Sequence, residues 1–146
     1  MIYSTSAIKG LQLEQLNAAL KDHDIEVTLY RMPKGEPTTD FLQSCLQLVN
    51  NSRCDGIVAI GGGSALDLGK AVAALALNNG VSISELEQMP SIKRLPFIAV
   101  PTTAGTGSEA TKVTVITDSA KGIKLNPGHP DLLPDIAILD PVLTLG

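Results

Sequence analysis

A chain of 146 residues with a net charge of −4, 44% hydrophobic and 18% charged, has the length of one domain and the composition of a buried core, which excludes a disordered segment. With no run of Lys and Arg, no Trp and only 3% aromatics, it offers neither the basic face nor the stacking platforms that a nucleic acid needs. No apolar run reaches the roughly 18 residues of a membrane span, the N-terminus shows no signal-peptide pattern, and Cys45 and Cys54 lack metal spacing; the expected setting is the cytoplasm, with reduced thiols and no membrane partner.

Residues 1–5 read as a first strand. Leu13, Leu16 and Leu20 recur at helical spacing, which predicts an amphipathic helix over 11–23. Residues 26–31, EVTLYR, alternate in the manner of a second strand. Pro33, Gly35 and Pro37 mark a loop. Thr39 or Asp40 can then cap a helix in which Phe41, Cys45, Leu48 and Val49 share one face.

Residues 54–78, CDGIVAIGGGSALDLGKAVAALALN, form the stretch about which the rest is arranged. Residues 56–60 are an apolar run with the look of a strand covered on both faces. Gly61, Gly62 and Gly63 end it, and Ser64 opens a buried helix, with Asp67 at the spacing of a capping box. Glycines leave backbone N–H groups uncovered, and a helix N-terminus favours a nearby anion by about 0.3–1 kcal/mol at an exposed site. This is the apparatus of a phosphate cradle. The run does not fit G-x-G-x-x-G, because Leu66 stands where the third glycine belongs, and a tight turn that binds nothing is the plainer alternative.

Asn79-Gly80 signals the end of that helix, and Ser84 with Glu87 has the spacing of a second capping box. Residues 96–101, PFIAVP, predict a further strand that runs into TTAGTGSE, where Thr102, Thr103, Thr106 and Ser108 set hydroxyls around two glycines. Such hydroxyls suit hydrogen bonds to a phosphate or a carboxamide, and also serve in an ordinary polar loop. Residues 113–117 and 122–125 can pair as a hairpin about the turn 118–121. Lys124, just past that turn, can reach ribose hydroxyls or lie on the surface. His129 in PGHPD reads as a loop residue and His23 as solvated surface. Residues 135–140, DIAILD, are a last apolar strand closed by Pro141. No Ser-His-Asp set, no H-E-x-x-H and no cluster of metal ligands appears.

Strands alternating with helices indicate an α/β fold, a Rossmann-like, doubly wound and mostly parallel sheet. Both small-residue loops follow strands directly. Both therefore fall at the carboxyl edge, where such sheets bind ligands.

GGGSALDLGKA at 61–71, IAVPTTAGTGSEAT at 98–111, VTVITD at 113–118, KGIKL at 121–125 and LLPDIAILDP at 132–141 resemble, in order and spacing, the iron-containing (group III) alcohol dehydrogenases. The bacterial ethanolamine-utilisation and related short-chain enzymes are the most similar subgroup. The resemblance implies that residues 1–146 are a dinucleotide-binding domain for NAD or NADP, with NAD favoured. It implies that Gly62, Gly63 and Ser64 hold the pyrophosphate, and that Asp67, in the same motif, belongs to the cofactor-binding set. Thr102, Thr103 and Thr106 would contact the phosphate and the nicotinamide side, Lys124 a ribose, and Leu143 would line the cofactor site. It further implies a small alcohol or aldehyde substrate and hydride transfer assisted by Fe2+ or Zn2+. The family's metal ligands, an Asp and three His, belong to a second, all-helical domain whose connection begins where this chain ends. No catalytic or metal-binding residue is therefore assigned here, and the expectation is a truncated chain that binds cofactor without turnover. A non-enzymatic nucleotide-binding or self-associating module, forming a homo-oligomer, is the alternative. Two departures bear on the cofactor. Thr5 stands where the family often carries the Asp that binds the adenosine ribose, which weakens discrimination against NADP. The family's E-P-N-P-T loop reads Glu36-Pro37-Thr38-Thr39 here.

Overall fold

The computed structural model describes residues 1–4 and 13–145. Its first strand, β1 (Ile2–Ser4), is followed by the helix α1 (Leu13–Lys21) and by β2 (Tyr30–Met32). Thr5, and residues 11 and 12 of the predicted helix, lie outside the described residues. β2 is shorter than the run 26–31 read from the sequence, because β1 pairs with it only from Ile2 opposite Tyr30 to Ser4 opposite Met32. α2 (Thr39–Asn51) is capped by Thr38, one residue before the expected caps, and the Thr38 hydroxyl accepts from the Phe41 N–H. α2 turns Leu42, Cys45 and Val49 inward, while Phe41 and Leu48 are half-buried.

β3 (Ile57–Gly61) leads directly into α3 (Gly63–Leu75), whose residues from Ala65 onward are all buried. A helix with no polar stripe must sit inside the fold. α3 does so by packing on β3, β4 (Phe97–Pro101) and β1, with α2 on its other side. Gly69 allows the close approach: a Cβ there would lie 2.7 Å from Cε2 of Phe97 and 2.8 Å from Cβ of Ala59. α3 ends at Leu75, before Asn79-Gly80, because the Asn78 amide caps it, donating to the carbonyl of Ala74. The capping box expected at Ser84 and Glu87 forms instead between Ser82 and Glu85, at the start of the 3₁₀ turn Ile83–Gln88.

After β4 come the hairpin β5 (Ile116–Asp118) and β6 (Ile123–Leu125), antiparallel as expected, and β7 (Ile136–Ala137). β7 keeps only two residues of the predicted strand 135–140, those that pair with Ile98 and Ala99 of β4.

The main sheet runs β2-β1-β3-β4-β7 with every neighbouring pair parallel, so the chain builds outward in both directions from β1. This is a Rossmann-like α/β sheet. One face, with Ile57, Ala59, Phe97 and Ala99, joins α3 and α2 in the main core. On the other, Ile60 and Val100 pack with Tyr3, Leu16 of α1 and Leu143. Among the described residues, no helix is long and apolar enough to cross a membrane.

Candidate functional site

β3 and β4 end in register, Gly61 opposite Pro101, and the Thr102 N–H donates to the Gly61 carbonyl at 2.9 Å. The two small-residue loops thus leave the sheet side by side at its carboxyl edge. The glycine run turns into α3 earlier than the sequence suggests. Gly62 is the N-cap, with no side-chain cap, and Gly63 is the first helical residue. The expected capping box of Ser64 and Asp67 does not form. Ser64 is already inside the first turn, and the Asp67 carboxylate is occupied elsewhere. The Gly62 carbonyl accepts from the N–H groups of Ala65 and Leu66, and helix geometry leaves those of Gly63 and Ser64 without an intrahelical acceptor.

The second loop closes over this end of the helix. A Cβ on Gly63 would stand 2.9 Å from Cγ2 and 3.0 Å from Cβ of Thr106, and one on Gly62 would stand 3.2 Å from Cγ2 of Thr103. Only glycine leaves backbone N–H groups bare at such a contact. Beside them opens a cavity of about 660 Å³, lined by Gly62, Gly63, Ser64, Thr103 and Thr106 from the predicted set. Ser4 at the end of β1 and Lys34 in the loop after β2 complete it from the neighbouring strands, a contribution the sequence reading missed.

The other predicted residues lie apart from this cavity. Thr102 is half-buried at the strand end. Asp67 is buried on the second turn of α3, 3.6 Å from Lys70 Nζ, and its Oδ2 accepts from the Val115 N–H at 3.2 Å. Lys124 is on β6 and donates to Glu36 at 2.6 Å, which holds the Glu36 carboxyl below its usual range. Leu143, in the 3₁₀ turn Pro141–Thr144, packs beside Ile60 and Val100.

A buried polar group behind the cavity also escaped the sequence reading. Lys70 is 1% exposed and donates to Thr111 Oγ1 at 2.9 Å and to the Val113 carbonyl at 2.8 Å. The Thr114 hydroxyl donates to the Asp67 carbonyl at 2.7 Å. These bonds pin the strand-to-hairpin connection onto α3. Burial pushes the Lys70 ammonium down and the Asp67 carboxyl up, while each charge pulls the other back toward its ionised form. The available signal was a lone lysine in an otherwise apolar helix, three residues after an aspartate.

His129 is buried rather than a plain loop residue. Its Nδ1 accepts from the Asp131 N–H at 3.1 Å, so Nε2 carries the proton and donates to the Met89 carbonyl at 3.0 Å. Cys45 is fully buried, and burial pushes its thiol up to about 12, which suits packing and not nucleophilic work. Among the described residues, no group of three or more His, Cys, Asp or Glu side chains is placed to hold a metal ion.

A family model for iron-containing alcohol dehydrogenases matches residues 1–141. The probable alcohol dehydrogenase EutG of Escherichia coli (strain K12) is 45% identical over 132 residues, which are 90% of this chain and 33% of that protein. Among solved structures, the NADH-dependent butanol dehydrogenase A of Thermotoga maritima superposes with a TM-score of 0.87 at 29% identity, covering 98% of this chain and 36% of that one. The sulfoacetaldehyde reductase of Bifidobacterium kashiwanohense, solved in complex with NAD+, gives a TM-score of 0.82 at 32% identity, covering 98% and 38%. The chain thus spans about a third of the length of the curated relatives it matches.

Proposed function

Because the chain belongs to the iron-containing alcohol dehydrogenase family, we propose that residues 1–146 act as the NAD(P)-binding domain of a dehydrogenase interconverting a primary alcohol and an aldehyde. One observation carries this reading: Gly63 lies against Thr106 with bare backbone N–H groups facing a cavity large enough for a dinucleotide half. Anions favour such a helix start. In this reading Gly62, Gly63 and Ser64 hold the pyrophosphate, and Thr102, Thr103 and Thr106 orient the nicotinamide side. Asp67 and Lys70 act from behind, by fixing the loop. Lys124 turns to a ribose by releasing Glu36; both side chains are 59% exposed, and water screens such a pair, so little holds them together. Leu143 closes the site from beside Ile60 and Val100, near the carboxyl ends of β3 and β4. A bound nicotinamide supplies the hydride chemistry, and these residues bind and orient it. The free thiols fit a cytoplasmic setting.

The test is titration with NADH and NADPH, read by nicotinamide fluorescence. Saturable binding is expected, and Gly63→Val should weaken it at least tenfold with an unchanged circular dichroism spectrum, since its side chain would meet Thr106 and fill the cradle. Failure of both dinucleotides to bind would overturn the proposal. The chain should bind without oxidising ethanol, even with added Fe2+ or Zn2+; appreciable turnover would refute that division of labour.

A second reading, a self-associating module, is favoured by a strip of exposed apolar residues toward the C-terminus: Ile136, Ile138, Leu139, Val142 and Leu145. It predicts a mass that rises with concentration in sedimentation, reduced by Leu139→Lys with Leu145→Lys. A monomer at all concentrations that binds dinucleotide would leave the first reading alone standing.

A further inference from the structure

The cavity is electrostatically one-sided. Of the described residues that line it, Lys34 alone carries a formal charge, and none is Asp or Glu. Lys34 lies two residues past the end of β2, and the pairing of Met32 with Ser4 sets its loop beside the carboxyl end of β1. Pro33 precedes it and Gly35, at φ +120°, follows, so the loop is turned sharply at that point. Lys34 has no ion-pair partner among the described residues. The acid nearest in sequence, Glu36, does not line the cavity; it accepts from Lys124 at 2.6 Å and from the Thr117 hydroxyl at 3.4 Å. Residues 1–10, MIYSTSAIKG, contain no Asp or Glu.

Dinucleotide sites of doubly wound sheets place the pyrophosphate on the helix N-terminus, here Gly63, and direct the adenosine ribose toward the ends of neighbouring strands. A carboxylate there accepts the ribose 2′-hydroxyl and repels a 2′-phosphate, whereas a cation accommodates the phosphate. We infer that this cavity takes a 2′-phosphorylated adenine dinucleotide, NADP(H), with Lys34 as the specificity-determining residue that meets the 2′-phosphate. The inference rests on the dinucleotide reading of the cavity and departs from the NAD preference that family resemblance alone implies. Lys meets a phosphate as a point charge without fixed geometry. The recognition is therefore a matter of sign and reach, and arginine should serve in its place.

The experiment compares NADPH and NADH affinities of the intact chain by fluorescence titration, for the wild type and for Lys34→Ala, Lys34→Glu and Lys34→Arg. As an exposed loop residue, Lys34 is open to all three changes without loss of fold. The wild type should bind NADPH about tenfold more tightly than NADH, a difference of about 1.4 kcal/mol. Lys34→Ala should abolish that ratio while leaving NADH within about twofold, Lys34→Glu should invert it, and Lys34→Arg should preserve it. Adenosine 2′,5′-bisphosphate should displace NADPH from the wild type and not from Lys34→Ala. Equal affinities for the two cofactors, or equal weakening of both by Lys34→Ala, would overturn the inference and leave the dinucleotide site in place. Absence of binding by either cofactor would overturn both.

Discussion

A lysine inside an apolar helix must keep its charge satisfied or lose it, since an unpaired buried ammonium is far costlier than a paired one. Lys70 meets that demand with two oxygens from the 111–113 stretch and with Asp67 one turn away. Its removal leaves Asp67 buried with the Val115 N–H and no countercharge. Lys70→Met is expected to cost about 3–5 kcal/mol of stability in urea unfolding. Adding Asp67→Asn should recover at least about 1 kcal/mol, because the two positions are coupled. A single-mutant loss below about 0.5 kcal/mol would show that the pair is not what pins the loop. At this scale the glycines and threonines of the cavity were legible, because a strand followed by small residues is a local signal. Lys70 was not, since its partners lie some forty residues downstream. In an all-buried helix, periodicity also cannot assign a side to one charge.

Short elements depend on staples, and β7 depends on Asp135. Its carboxylate takes both Arg94 guanidinium nitrogens, at 2.6 and 2.9 Å, and the Phe97 N–H at 2.7 Å, where β4 begins. The Arg94 guanidinium holds this carboxyl below the usual range. A carboxyl with a lower pKa when folded stabilises the fold at pH values above its unfolded pKa, near 3.9, and loses that contribution as pH falls through the folded value. Asp135→Asn should therefore lower stability at pH 7 by less than about 1 kcal/mol, given the exposure of the pair, and flatten the decline below about pH 4. An acid unfolding curve identical to the wild type would count against this role. Element types were legible along the chain, but ends were not. Caps moved to Thr38, Gly62 and Ser82 because several Ser, Thr and Gly residues compete within one turn, and packing selects among them. β2 and β7 shrank because strand length is set by the partner's register.

At the scale of the molecule, the parallel α/β sheet followed from the alternation of elements, and that put both loops at one edge. The strand order did not follow, because nothing local in the sequence says that β1 pairs with both β2 and β3. That order brings Ser4 and Lys34 to the cavity, so the part of the site on which the proposed cofactor choice rests was the part hidden from sequence reading. It also has a consequence in time. β1 can pair with β2 early, yet its ladder to β3 must wait for Ala59, and that of β4 to β7 for Ala137. Such distant closures are entropically slow. The β3-α3-β4 unit, which shares the longest of the described ladders and a helix buried from Ala65 onward, is the natural nucleus. β1 is then among the last pieces to find its place, between β2 and β3.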